Sequence, residues 1–231
     1  MDRELYKMKV INLDPLVWSI PYSRTVESDI LDCKFFDIKH IEILERLNQM
    51  KWKLIELKDL ATVFIGQTPE RYEYVDEGIP IIKVMNVTNL GLRWDDVSFI
   101  PEGVVKKWGA KGKQYIQTLD ILIPTAAHSP EAIGEKVDIV SFIPNNFEKV
   151  LCVAELAVVR IKSEEVDPFY LLAYLRSKYG RIQIKSIIRG QTAHIYPFDL
   201  ERLKVSLPPS EVQKRIGDMI RQAEEARRDS W

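Results

Sequence analysis

The sequence predicts an α+β chain, a mixed, strand-rich domain with C-terminal helices, the last one a possible short coiled-coil or dimerisation helix. Three observations predict it. From Lys53 to Ile161, short β-branched and aliphatic runs alternate with turn residues. After Pro168, apolar residues recur at three- and four-residue spacing, the period of helices with one buried side. A hydrophobic content of 46% in 231 residues is enough for a sizeable core. No apolar run approaches the roughly 20 residues of a membrane helix.

Residues 1 to 27 show little periodicity, and Pro15 and Pro21 argue against a long helix or central strand, so they read as an arm or irregular edge. Asp37 to Met50 predicts an amphipathic helix, with Ile41, Leu44 and Leu47 inward and Glu42, Glu45 and Arg46 outward. The predicted strands are Val63–Ile65, Ile79–Val87, Ile116–Ile123, Val137–Val140, Val150–Val153 and Leu156–Ile161, broken by Gly66, Pro69, Gly78, Gly91, Gly109, Gly112 and Pro144. Asp167-Pro168 supplies a capping carboxylate and a first-turn proline for a helix whose buried side is Leu171, Leu172 and Leu175. A second helix is expected over Tyr179 to Ile188, with Lys178, Arg181, Lys185 and Arg189 on one face. Leu203–Leu207 reads as a strand stopped by Pro208 and Pro209. Ser210 and Gln213 have capping-box spacing for a last helix. Along it Val212, Ile216, Met219, Ala223 and Ala226 follow the four-three spacing of a helical seam. The seam is short, and it fits a partner helix or docking on its own domain equally well.

The net charge of -1 argues against indiscriminate polyanion binding, but the charges are segregated. From Pro168 to Phe198 there is no acid, while Arg176, Lys178, Arg181, Lys185, Arg189 and His194 fall in that stretch. A basic face on a near-neutral protein suits selective phosphate contact. Met1 to Val10 carries Asp2, Arg3, Glu4, Lys7 and Lys9 rather than a signal-peptide core, so a cytoplasmic location is expected. Cys33 and Cys152 lack metal or redox spacing and read as buried free thiols.

Two blocks make the chain recognisable. Residues 66 to 91, GQTPERYEYVDEGIPIIKVMNVTNLG, hold a Gly-x-Thr-Pro turn leading to an Ile-Pro-hydrophobic strand. Residues 187 to 220 hold a glycine-containing polar turn, a short strand, Leu-Pro-Pro, and a helix with Gln near its start. With LDILIPTAAHSPEAIGEKVDIV between them, the region from Trp52 to Ile220 resembles a target recognition domain of type I restriction-modification specificity subunits. The resemblance implies a non-catalytic module that recognises double-stranded DNA and needs no cofactor. The implied partners are the modification subunits, which methylate adenine, and the restriction subunits.

The enzymatic alternatives lack their parts. An adenine methyltransferase needs an Asn/Asp-Pro-Pro-aromatic loop, and Leu207-Pro208-Pro209-Ser210 has neither the polar first residue nor the aromatic. A metal-dependent nuclease needs gathered carboxylates; Glu56-x-Lys58 with Asp37 upstream is the best that the chain offers. His40, His128 and His194 are unclustered, and Ser129 beside His128 has no visible orienting acid. No metal ligands or catalytic residues are assigned. Base reading instead needs paired donors and acceptors on loops held by a rigid sheet. Three groups qualify: Gln67 and Thr68 with Lys83, Asn86, Thr88 and Asn89; Lys106, Lys107, Lys111 and Lys113 around Trp108; and Arg189, Gln191, Thr192 and His194, continuing from Lys178, Arg181 and Lys185. Gln191 and Asn86 are the expected base readers, and the lysines the phosphate contacts. The other class of reading is an interaction scaffold that turns the same basic face to an acidic protein.

The expected organisation is an arm and amphipathic helix over 1–51, packed on a recognition domain over 52–208, and a C-terminal helix over 209–231 that opens a helical spacer. That helix makes a homodimer through Val212, Ile216, Met219, Ala223 and Ala226 possible.

Overall fold

Ile121, Leu122 and Ile123 are consecutive and all fully buried, so the strand containing them has no solvent face. The computed structural model describes residues 9–11, 17–19, 37–110, 112, 114–127, 132–189 and 193–228. At its centre is a four-stranded antiparallel sheet in the order β10 (Asp138–Ile139), β9 (Ile121–Pro124), β12 (Leu156–Ile161) and β4 (Ala61–Ile65). Alternate residues of its strands enter two separate cores. Ala61, Val63, Ile121, Ile123, Ala157 and Val159 enter the first core. Leu122, Leu156 and Val158 enter the second.

The first core is closed by helices. α1 (Ile38–Gln49) is capped by Asp37, whose side chain accepts from the Lys39 N–H, and contributes Ile43 and Leu47. The single-turn α2 (Leu57–Leu60) follows β3 (Lys53–Glu56). The second core lies under β5 (Ile79–Ile82), β8 (Ser98–Ile100) and β11 (Leu151–Cys152), where β11 pairs parallel with β5 and β8 antiparallel, together with α3 (Glu102–Lys107). Gly66 sits so close to the Cys152 carbonyl that a Cβ there would lie 1.9 Å from its oxygen, which explains the glycine in the Gly-x-Thr-Pro turn. A hairpin of β6 (Val87–Thr88) and β7 (Gly91–Leu92) packs against β9 and β10, with Val87 in the second core, and β1 (Lys9–Ile11) pairs with β2 (Val17–Ser19) near the start of the chain.

Two capped helices complete the first core. Asp167 accepts from the N–H groups of Phe169 and Tyr170 at the start of α4 (Pro168–Arg176), and Ser177 does the same for α5 (Lys178–Ser186). The one-turn α6 (Pro197–Leu200) leads to β13 (Lys204–Leu207), which pairs antiparallel with β3. α7 (Ser210–Arg228) then packs along α4 in the same direction, with Gln213 and Gly217 beside Asp167 at the start of α4. They meet closely because Gly217 has no side chain: a Cβ there would lie 2.4 Å from Asp167 Oδ1.

Four expectations are corrected. The Ile79–Val87 strand stops at Ile82, because the Lys83 N–H donates to Asn86 Oδ1 and bends residues 84–86 into a 3₁₀ turn. Of Ile116–Ile123 only the end is strand: residues 117–120 turn, with Leu119 at φ 72° and Asp120 accepting from the Gln117 N–H. The capping box of Ser210 and Gln213 does not form. The Gln213 amide instead accepts from the Asp167 N–H and donates to the carbonyls of Glu165 and Pro208, stitching the start of α7 to the start of α4. The second helix ends at Ser186, so Arg189 lies beyond the face expected to include it.

Candidate nucleic-acid interface

The first expected group is largely a set of structural clips. Thr68 Oγ1 donates to Glu155 and accepts from the Ala154 N–H, so it fastens the turn after Gly66. Gln67 is half-buried and donates to the adjacent Gly66 carbonyl. Thr88 Oγ1 donates to the Gly91 carbonyl and accepts from the Leu90 N–H, closing the β6–β7 turn. Asn89 donates to the Glu135 carbonyl and accepts from the Val137 N–H, which ties that turn to the segment before β10. Asn86 is 1% exposed, with its oxygen on the Lys83 N–H and its NH2 on the Arg93 carbonyl. It does not project from a strand end towards a base edge, because it is buried with its oxygen and one N–H engaged inside the fold. Lys83 is held with its Nζ 3.9 Å from the Tyr74 ring centroid.

The second group is not an acid-free loop. Lys106 and Lys107 are exposed on the last turn of α3, within reach of Glu102 at 3.4 Å and Glu73 at 3.3 Å respectively. Trp108 and Trp94 are half-buried against the second core. Lys111 and Lys113 lie outside the described residues.

The described members of the third group divide between α5 and the segment after it. Lys178 is exposed, and Arg181 and Lys185 lie on the same side of α5. The stretch is free of acids in sequence but not in space: Glu135 sits 3.3 Å from Arg181 and 2.5 Å from Lys185. Sequence reasoning missed Glu135, which is 50 residues from Lys185 and has no local signal. His194 is exposed, and its backbone exchanges hydrogen bonds with Arg189 at 2.8 and 3.1 Å. Arg189 Nη2 donates to Asp199 Oδ1 at 2.6 Å, and its guanidinium lies over the Phe198 ring. Asp199 is fully buried; burial raises its carboxyl above the ordinary range and Arg189 pulls it back. Tyr196 and Phe198 stack on one another beside it, a feature that the charge pattern did not flag. Gln191 and Thr192 lie outside the described residues.

Along α7, Val212, Met219, Ala223 and Ala226 are exposed, whereas Ile216 packs on the first core with Ile220. The seam is therefore split, and Ile216 belongs to the docking of the helix on its own domain. The inner side also buries Gln213 and Glu224.

Asp37 and Glu56, the carboxylates considered for a metal, have structural partners. The first caps α1, and the second is paired with Lys204 and Lys58. Among the described residues no three His, Cys, Asp or Glu side chains group to hold an ion. Cys152 is a buried free thiol, pushed by burial up to about 12; Cys33, His128 and Ser129 lie outside the described residues. Among the described residues no helix is long and apolar enough to cross a membrane.

The family model for the type I restriction modification DNA specificity domain matches residues 49–227, nearly the whole described chain from the end of α1. The chain belongs to that family. As a member of the DNA specificity domain family, it is 25% identical over 171 residues to the type I restriction enzyme MjaVIII specificity subunit of Methanocaldococcus jannaschii, a match spanning 74% of this chain and 39% of that protein. The chain thus spans well under half the length of this curated relative. Two solved structures share the fold. The HsdS subunit from Thermoanaerobacter tengcongensis aligns with a TM-score of 0.51 at 19% identity, over 90% of this chain and 48% of that one. The type IIG restriction endonuclease BpuSI aligns with a TM-score of 0.56 at 12% identity, over 90% of this chain and 30% of that one. The likeness is one of α+β fold over most of this DNA specificity domain.

Proposed function

We propose that this chain recognises double-stranded DNA sequence as part of a type I restriction-modification specificity subunit, without catalytic chemistry of its own. In this reading it directs adenine methylation and cleavage by modification and restriction subunits that bind elsewhere on the assembly. The observation that carries the reading is the family match over residues 49–227. The geometry supports it with a cationic side of α5 made by Lys178, Arg181 and Lys185, and with Arg189 on the segment following it. Lys106 and Lys107 are the second set of proposed phosphate contacts, and Gln191 remains the proposed base reader.

Glu135 gives this surface a built-in competitor for phosphate. Lys185→Ala should flatten the slope of log affinity against log salt by roughly one unit, with sequence preference unchanged. Glu135→Gln should do the opposite, tightening binding to all duplexes by freeing Arg181 and Lys185. Selection by the chain from a randomised duplex library, followed by salt titration of the winners, tests both. No enrichment of any sequence by the wild type would remove the proposed function.

A further inference from the structure

Tyr196 and Phe198 are 47% and 49% exposed, although large aromatic side chains ordinarily contribute most when buried. Their rings stack with centroids 5.7 Å apart and planes 17° from parallel. The backbone beneath them is fixed. Ile195, Asp199 and Leu200 are buried, and Pro197 opens α6 while holding Tyr196 in extended geometry. Two rings are thus held out into solvent by a support that does not let them fold inward.

Arg189 completes the group. Its guanidinium carbon lies 5.2 Å from the Phe198 centroid, and Asp199 holds its Nη2. Among the described residues, the second oxygen of Asp199 has no hydrogen-bond partner. A buried carboxylate satisfied on one side is costly to keep, and what it secures is the direction of one arginine.

We propose that Tyr196, Phe198 and Arg189 form a stacking platform for an unstacked nucleobase of bound DNA. The base lies on the aromatic pair, Arg189 meets the flanking phosphate, and Asp199 is a positioning residue. The proposal rests on the DNA-recognition reading above and adds to it a site that senses base stacking rather than base identity. The surroundings favour nucleic acid over a protein partner. Phe198 lies under the cation of Arg189, and the backbone of Arg189 exchanges hydrogen bonds with exposed His194. Every base has a π face that such a ring accepts. The guanidinium has five N–H donors, of which Asp199 engages one, so it can serve a phosphate without leaving its anchor.

The test uses the full chain and two duplexes of one sequence, one fully paired and one with a single unpaired 2-aminopurine. The wild type is expected to bind both, to bind the unpaired form about tenfold more tightly, and to quench its fluorescence. Tyr196→Ala with Phe198→Ala should lose the preference and the quenching while keeping affinity for the paired duplex. Tyr196→Phe should keep both, and Asp199→Asn should reduce the preference. If the double variant melts early, Tyr196→Leu, which keeps bulk and loses the π face, replaces it. Equal wild-type affinity for the two duplexes without quenching overturns the platform and leaves DNA recognition standing. Equal weakening on both duplexes in the aromatic variants also overturns it, since the rings would then be a general contact. Binding of neither duplex by the wild type removes the platform together with the reading on which it rests.

Discussion

An asparagine amide matches the edge of an adenine, and it equally well replaces two missing backbone partners; burial decides which role it takes. Asn86 takes the second role, bridging the Lys83 N–H and the Arg93 carbonyl from a site that is 1% exposed. Asn86→Ala should therefore cost about 1–3 kcal/mol in urea unfolding, by leaving two backbone groups unpaired, and leave sequence preference unchanged. A changed preference in a fully folded variant would return Asn86 to the interface. Asp138 is a carboxyl whose charge the fold disfavours. It accepts from Arg176, the Gly91 N–H and the Ile139 N–H while fully buried. Burial raises its carboxyl to about 6 from an ordinary 3.8, with Arg176 opposing and Glu224 adding to the rise. A raised carboxyl favours the protonated folded form, so its stabilising contribution is complete below about pH 4 and lost as pH rises through about 6. At 1.36 kcal/mol per pH unit this is about 3 kcal/mol. The stability advantage of wild type over Asp138→Asn should therefore shrink by that order between pH 4 and pH 7. A constant difference across that range would show that Arg176 fully accommodates the charge.

At the scale of elements, α7 is defined by what its two sides touch. Gly217 lets it approach the N-cap of α4, where Asp167 also accepts from Arg221. Gly217→Ala improves helix propensity by roughly 1 kcal/mol, but it forces a carbon into the capping carboxylate. A net loss of about 1–2 kcal/mol is expected, visible as a lower melting temperature. The split seam makes a second contrast. Ile216→Asp should destabilise the isolated domain, whereas Met219→Asp, at a side chain 67% exposed, should leave it folded and weaken any association through the helix; light scattering with thermal melts separates the two. The longer helices were legible in the sequence because their apolar spacing is local, and at α4 so is the cap: Asp167 serves N–H groups two and three residues away. The ends of strands were not, because Asn86 and Asp120 break apolar runs through their own side chains, where periodicity alone continues the strand. The candidate interface was legible only in part for the same reason. The cations of α5 share a face by spacing alone, but Glu135 reaches them through tertiary folding, and Gln213 left its expected cap for carbonyls 48 and 5 residues away.

At the scale of the whole molecule, consecutive residues of β9 and β12 divide between two cores. Leu122 and Val158 are paired across the strands and face one side; Ile121 and Val159, paired next to them, face the other. Each strand must therefore fit two interiors at once, and neither core is assembled from one contiguous length of chain. This limits how the domain can be recombined with its relatives. A crossover between Pro124 and Leu156 would join a β9 shaped to one parent's interiors with a β12 shaped to the other's, and the mismatch would appear on both sides of the sheet. Exchange of recognition between family members is therefore expected to succeed when 37–228 moves intact and to fail when the junction falls inside the central sheet. In such an exchange the recognition loops are expected to travel only together with the sheet and both interiors that hold it.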